Sequence, residues 1–350
     1  MIVTAQTTFQ QIREDAVLRE FYPWLLGTGN DQDVPKISLS GLQKQQPTWN
    51  ANDMAFGLNR LLAIRKQGIR VIYDVYSKEE QEADIEKKKS LVKLFRFPAM
   101  KEIEDNVGRY PFVIIAAGGG YGCVASIVEA FPVAARLNEM GFSVFCLNYR
   151  VGGPHLMPKP MDDLGAAFKC IAAHAEEWKV DMDHYAVCGF SAGGHLAGCW
   201  GLKEFGFQRY DFSKPDLLML IYPLINVYST ISQYAANRST RISNVGKSML
   251  RDLFGSSYVS VQDRHRYEIS ELIDQDYPAT YICYAEDDEV VCPDINERRL
   301  ITALEHFKVP VFADTVLIGG HGFGLGSETA ANGWVERAVA AWNQVSSFRY

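Results

Sequence analysis

Tyr185-Ala186-Val187-Cys188-Gly189-Phe190-Ser191-Ala192-Gly193-Gly194-His195-Leu196-Ala197 is the stretch whose reading decides the fold. The apolar run Tyr185 to Cys188 reads as a buried strand, and the run from Ala192 reads as a helix. Between them a serine has glycine two places before and two places after. A turn that tight forces the serine into a cramped backbone conformation, and side chains at the flanking positions would clash; glycine removes the clash. The hydroxyl then stands proud of a sheet edge with a helix N-terminus behind it. A bare G-x-S-x-G arises by chance in many chains, so the strand before it and the helix after it are what give it weight.

Outward from that turn the same rhythm continues. Phe112 to Ala117, Phe142 to Leu147, Leu217 to Tyr222, Ala279 to Ala285 and Val311 to Leu317 are short, nearly unbroken apolar runs. Segments that read as helices lie between most of them: Ile127 to Met140, Asp162 to Trp178, Ala192 to Phe205 and Asp294 to Phe307. A last helix is expected from about Glu328 to Val345. Strands apolar on both faces that alternate with helices predict an α/β fold, a mostly parallel central sheet with helices on both faces. Ahead of it, Ile69 to Tyr73 and Leu91 to Arg96 alternate apolar and polar residues, which predicts an antiparallel edge hairpin joined through the charged segment Ser77 to Lys89.

Two stretches fall outside the rhythm. Residues 1–68 read as an N-terminal helical extension. One helix runs over Phe9 to Leu26 and stops at Gly27, residues 28–47 are loop, and a second helix is capped by Asn52 and stopped by Gly68. Packing on the core, covering a site and forming an oligomer contact are its three open roles. The domain over 69–350 is interrupted at about 224–278, too long a connection for one crossover. It predicts a cap-like insertion over the C-terminal sheet edge. Its Tyr228, Tyr234, Met249, Phe254, Tyr258 and Tyr267 either line a pocket or form the insertion's own small core.

Composition narrows the function. A chain of 350 residues, 47% hydrophobic and 22% charged, is ordinary for a globular protein and can bury a sizeable core. A net charge of −7 and a pI near 5.6 argue against nucleic-acid or anionic-membrane partners. The run Lys87-Lys88-Lys89, beside Glu86, reads as a solvated face. Seven scattered cysteines without C-x-x-C spacing read as free thiols in a reducing compartment. No leader pattern and no bilayer-length apolar run is visible, so the expected location is the cytoplasm.

A serine hydroxyl is a poor nucleophile and needs a base within hydrogen-bond reach. Of seven histidines, His321 stands out, in Gly319-Gly320-His321-Gly322-Phe323-Gly324 after the last strand. An imidazole titrates near neutral pH, so it can both accept and return a proton. The imidazole in turn needs an acceptor. Glu286-Asp287-Asp288-Glu289 follows the strand Thr280 to Tyr284, and the order Ser191, acid, His321 is the one this architecture requires. Asp288 is the preferred acid and Asp287 the second. The other carboxylates read as solvated or as capping the helix near Asp294. A metal site in this acid run lacks a second ligand cluster, so no metal is expected.

An oxyanion needs backbone donors, and Ala117-Gly118-Gly119-Gly120-Tyr121 after the first core strand, with the Ala192 N–H, can supply them. The glycines do not read as a phosphate loop, because no Lys-Ser/Thr follows and G-x-G-x-x-G is absent here. His195 reads as a packed helix residue, His155 as surface loop, and Asp162 or Asp163 as a helix cap.

The glycine loop, the serine turn, Asp288 to Val291 and the late Gly-His-Gly together resemble the α/β-hydrolase superfamily. Gly189-Phe190-Ser191-Ala192-Gly193-Gly194-His195 is similar to bacterial carboxylesterases of the acetyl-esterase and hormone-sensitive-lipase-like group. The resemblance covers roughly residues 69–345. It implies Ser191 as nucleophile, Asp288 as acid and His321 as base, with oxyanion N–H groups from Gly119, Gly120 and Ala192 and no cofactor. One departure stands out: the family loop usually begins His-Gly-Gly-Gly, and Ala117 takes the place of that histidine. The expected activity is hydrolysis of small acyl esters, including acetylated sugars. A peptidase or an amidase/formamidase on the same fold is the first alternative, and a catalytically silent binding protein the second. The expected partner is a small-molecule ester, and a homo-oligomer is left open.

Overall fold

The computed structural model describes residues 1–26, 36–89, 92–99 and 108–346. Among these, eight strands form one sheet: β1 Ile72–Asp74, β2 Lys93–Phe97, β3 Tyr110–Ala116, β4 Ser143–Asn148, β5 Val180–Phe190, β6 Leu217–Ile221, β7 Thr280–Ala285 and β8 Val311–Val316. Their order is β1-β2-β4-β3-β5-β6-β7-β8. β1 with β2 and β2 with β4 run antiparallel, and every other pairing is parallel. This is the mostly parallel α/β sheet the apolar runs predict, with the antiparallel pair at one edge.

The helices are α1 Phe9–Glu14, α2 Leu39–Gln45, α3 Ala51–Lys66, α4 Lys78–Ala83, α5 Ile85–Lys89, α6 Ala130–Glu139 and α7 Lys159–Ala173, then α8 Ser191–Gly201, α9 Val227–Ala235, α10 Thr240–Phe254, α11 Val261–Arg266, α12 Ile269–Leu272, α13 Glu297–His306 and α14 Trp334–Val345. β4, β6 and β7 are buried along their whole length, β3 beyond Tyr110 and β5 from Tyr185 onward, because helices cover both faces. Each aliphatic or aromatic side chain buried there contributes roughly 1.5–3 kcal/mol. β8 is an edge strand with a half-exposed pattern, and Leu317 and Ile318 leave the sheet as exposed residues. No helix among the described residues is long and apolar enough to cross a membrane.

Several local expectations need correction. The first helix ends at Glu14, not Leu26. The Asp15 carboxylate accepts the N–H groups of Val17 (2.9 Å) and Leu18 (3.0 Å) and turns the chain into two short 3-10 turns. Its expected stop, Gly27, lies outside the described residues, as do residues 28–35 of the expected loop. Part of that loop, Leu39 to Gln45, is helical under a Ser38 cap. α3 is capped by Asn50, whose Oδ1 accepts from Asn52 N and Asp53 N (2.8 and 3.0 Å), so Asn52 sits inside the first turn. Asp162 and Asp163 lie inside α7 and do not cap it. Asp163 is buried and holds the Arg150 backbone N–H (2.8 Å) and guanidinium.

The described part of residues 1–68 packs on the sheet and on α6. α3 crosses α6 so closely that a Cβ on Gly57 would fall 2.7 Å from the Phe131 carbonyl carbon. The Phe21 and Trp24 rings lie against Phe95 of β2. The stretch between β6 and β7 is helical, α9 to α12, and is joined to the β4–α7 loop by Leu156 N–H to Asp252 O (3.0 Å) and Met157 N–H to Leu253 O (3.2 Å).

Candidate active site

The sheet's strand order reverses at β3, which has β4 on one side and β5 on the other. Ligands of open α/β sheets bind beyond the strand C-termini at such a point. Here register sets two chain ends side by side, since Ala116 of β3 pairs with Gly189 of β5. The glycine loop therefore leaves the sheet next to the serine turn. Ser191 itself has φ +50, the strained left-handed region. The flanking glycines are required by contact: a Cβ on Gly189 would fall 2.2 Å from Gly193 O, and one on Gly193 2.1 Å from Ala116 O.

β7 and β8 end at the same rim, paired through Ala285 and Val316. Their loops carry Asp288 and His321. His321 Nε2 lies 2.9 Å from Ser191 Oγ, and His321 Nδ1 lies 2.7 Å from Asp288 Oδ2. Ser191 and Asp288 are buried, and the His321 side chain is about 15% exposed, so the row is open at the imidazole. Asp288 Oδ1 accepts the N–H groups of Val290 and Val291, both at 2.8 Å. With both oxygens engaged, that carboxylate is fixed in rotation and presents one oxygen to the ring.

Asp287 has a different task. Its Oδ1 accepts from Gly319 N (2.9 Å) and Gly320 N (2.8 Å), and these bonds, the Gly320 one first, hold its carboxyl below the usual carboxylate range. The two adjacent acids meet different parts of the histidine loop: one braces its backbone, the other meets its ring. Glu286 pairs with Arg298, which also meets Asp294.

The glycine loop faces the serine. A Cβ on Gly118 would come 2.7 Å from Ser191 Cβ, and Gly119 and Gly120 have φ +130 and +61. Among the described residues, no acceptor is bonded to the N–H of Gly119 or Gly120. Ala192 is the second residue of α8, where a helix N–H has no partner within the helix. The Gly118 N–H is already used, donated to Glu129 Oε2.

Of the other histidines, His195 is buried. Its Nδ1 meets Tyr121 Oη at 2.7 Å and its Nε2 the Tyr267 carbonyl at 3.1 Å, so it joins the end of the glycine loop to the insertion. Burial lowers its pKa to about 4, and the ring stays neutral. His155 is exposed, with its ring against Gly255 at the end of α10. No cluster of three metal-ligating side chains occurs among the described residues.

Sequence reasoning does not find the layer behind these groups. Tyr149 Oη donates to Ala117 O (2.7 Å), the Thr48 hydroxyl to His321 O (2.7 Å), and Tyr222 Oη to Glu129 Oε1 (3.0 Å). The one visible signal is Glu129 itself, an isolated acid in the apolar run Ile127-Val128-Glu129-Ala130-Phe131. The insertion's aromatics mostly pack locally. Phe254 meets Tyr267, Arg264 lies over Tyr228, and Tyr258 is 91% exposed. Met249 of α10 is the insertion residue at the glycine loop, with its Cε 3.8 Å from where a Cβ on Gly120 would stand.

Comparison with known proteins agrees with this architecture. A family model described as BD-FAE matches residues 101–300. An acetylxylan esterase from Xylanibacter ruminicola is 26% identical over 216 residues, 61% of this chain and 41% of that protein. A probable carboxylic ester hydrolase, LipM, from Mycobacterium tuberculosis is 26% identical over 243 residues, 65% of this chain and 53% of that protein. The chain thus spans about half or less of either relative's length. The crystal structure of an acetyl ester-xyloside bifunctional hydrolase from Caldicellulosiruptor lactoaceticus superposes with a TM-score of 0.63 at 22% identity, covering 80% of this chain and 97% of that one. That likeness shows the fold.

Proposed function

The chain belongs to the BD-FAE family and has the α/β-hydrolase fold, and from that premise we propose that it is a serine carboxylesterase acting on small acyl esters, acetyl esters of sugars among them. The observation that carries the proposal is the row of contacts from Ser191 Oγ to His321 Nε2 at 2.9 Å and from His321 Nδ1 to Asp288 Oδ2 at 2.7 Å. Ser191 is the nucleophile, His321 the base, and Asp288 the acid that holds the ring's tautomer and stabilises its protonated form. As Oγ bonds to the ester carbonyl carbon, its proton passes to His321 Nε2 and the carbonyl electron pair moves onto oxygen. That oxyanion meets the N–H groups of Gly119, Gly120 and Ala192, each worth about 3 kcal/mol in the transition state. Collapse expels the alcohol, which takes the proton from Nε2. Water, deprotonated by the same nitrogen, then attacks the acyl-serine, and as the acyl–Oγ bond breaks Oγ takes the proton back from Nε2 and the acid is released. The acetyl-sugar preference draws support from the acetylxylan esterase among the relatives.

The test is hydrolysis of p-nitrophenyl acetate, butyrate and octanoate and of acetylated xylose. Acetate and butyrate are cleaved well and octanoate poorly. Ser191→Ala lowers turnover on the order of 10⁵-fold. Unchanged turnover in that variant overturns the reading, and a peptide or formamide cleaved faster than any ester moves it to amide hydrolysis.

A further inference from the structure

The glycine loop opens on Ala117. A methyl group cannot brace a loop through hydrogen bonds, so the bracing has to come from elsewhere. It comes from Tyr149, which donates to Ala117 O, and from Glu129, which accepts the Gly118 N–H on Oε2. The other oxygen of Glu129 accepts the Tyr222 hydroxyl at 3.0 Å, and that hydroxyl accepts the Gly324 N–H at 3.0 Å. Gly324 lies three residues beyond His321, and the Tyr222 ring meets the His321 ring edge-on with centroids 4.9 Å apart. One carboxylate, 4% exposed, thus links the loop before Tyr121 to the loop that carries His321.

We propose that Glu129 is a positioning residue for the reaction assigned above: it holds the glycine loop and the histidine loop in register and presents a second buried negative charge to His321. This rests on the esterase reading of Ser191 and His321. Both oxygens of Glu129 act as acceptors, which is the bonding pattern of the ionised form. Its position at the start of α6 favours a negative charge. Burial works against that charge and raises the Glu129 pKa, while the Gly118 N–H, His321 and the Tyr222 hydroxyl pull the other way. The titratable groups facing it are Cys123, Tyr149, Cys188, Tyr222 and His321. Burial pushes the Cys123 thiol up to about 11 and the Tyr149, Cys188 and Tyr222 groups well up, so all four stay neutral. His321 is the one neighbour that gains a positive charge during turnover. A fixed carboxylate favours that charged state over the resting neutral ring, and only such a differential contact speeds the reaction.

The experiment compares wild type, Glu129→Gln, Glu129→Asp and Tyr222→Phe on p-nitrophenyl acetate across pH, with active sites counted by fluorophosphonate and folding followed by thermal melts. Glu129→Gln loses the charge. Its kcat falls roughly ten- to a hundredfold with KM little changed, and the acid limb of its pH–rate profile moves to lower pH, because removing a negative charge makes the ring harder to protonate. Tyr222→Phe cuts the link to Gly324 but keeps the charge, so its kcat falls while its acid limb stays. Glu129→Asp also keeps the charge and its acid limb stays with the wild type's. Wild-type kcat and an unmoved acid limb in Glu129→Gln overturn the proposal. So does equal loss in Glu129→Gln and Tyr222→Phe with neither limb moved. If Glu129→Gln does not fold, unchanged kcat in Tyr222→Phe overturns it. The esterase reading is judged separately, by Ser191 labelling in the wild type.

Discussion

At the C-terminal rim of the sheet, loops from β3, β5, β7 and β8 deliver Gly118 to Gly120, Ser191, Asp288 and His321, and strand register fixes where each loop begins. Thr48 and Met249 reach the same rim from outside the strand–helix alternation, one between α2 and α3, the other on α10. The two sets touch the site differently. The sheet's residues form the hydrogen-bonded row Ser191, His321 and Asp288. Thr48 holds the His321 carbonyl, and Met249 lies beside the glycine loop at Gly120. On the proposed reading the hydrogen-bonded row carries the chemistry, Thr48 steadies the histidine loop and Met249 bears on acyl length, so substitutions in the two sets are expected to fail in different ways.

The largest effect is expected in the sheet set. Asp288→Asn removes the acceptor that fixes the His321 tautomer and lowers kcat on the order of 10⁴-fold. Asp287→Asn keeps a carbonyl oxygen for Gly319 and Gly320 and costs far less. Steady-state kinetics on one ester checks both, and the reverse ranking would exchange the two roles. Met249→Ala is next. Opening the space over Gly120 raises the octanoate-to-acetate ratio of kcat/KM by about five- to tenfold, with acetate turnover little changed; an unaltered ratio would break the division between the two sets. Thr48→Val removes one hydrogen bond, worth about 1 kcal/mol, and lowers kcat by a similar factor for every ester, short or long.

The smallest effect on turnover is expected at Glu297, the first residue of α13. It is fully buried, and neither carboxyl oxygen has a hydrogen-bond partner among the described residues. Burial pushes its pKa well up. An acid whose folded pKa is raised contributes stability at low pH and loses it as pH rises through the folded value. Glu297→Gln therefore melts with the wild type near pH 4 and above it at pH 8, by on the order of 1 kcal/mol or a few degrees. A wild type that melts higher at pH 8 would mean the carboxylate is compensated.

Legibility in the sequence follows the same division. β3 to β7 are plain because helices bury both sheet faces, which leaves unbroken apolar runs. Ser191 and His321 are plain because a strained turn and a late strand–loop junction demand glycines around them. Asp288 is harder, since adjacent acids differ only in where they point, and the backbone of Val290 and Val291 settles that. Helix ends shift where a side chain competes for backbone N–H groups, as Asp15 does beyond α1 and Asn50 before α3. Tyr149 and Tyr222 are invisible because their partners, the Ala117 carbonyl, the Glu129 carboxylate and the Gly324 N–H, are distant in sequence, and Glu129 leaves only the mark of a lone acid in an apolar run. The insertion's aromatics carry no periodic mark that separates a pocket lining from a local core.

Ser191 as the nucleophile is the claim on which the rest depends, and mass spectrometry of fluorophosphonate-treated protein tests it most directly. One phosphonyl group per chain is expected, on the peptide containing Gly189 to Gly193, with label gained and esterase activity lost at the same rate. Label on another residue, or full activity in protein fully labelled at Ser191, would contradict it.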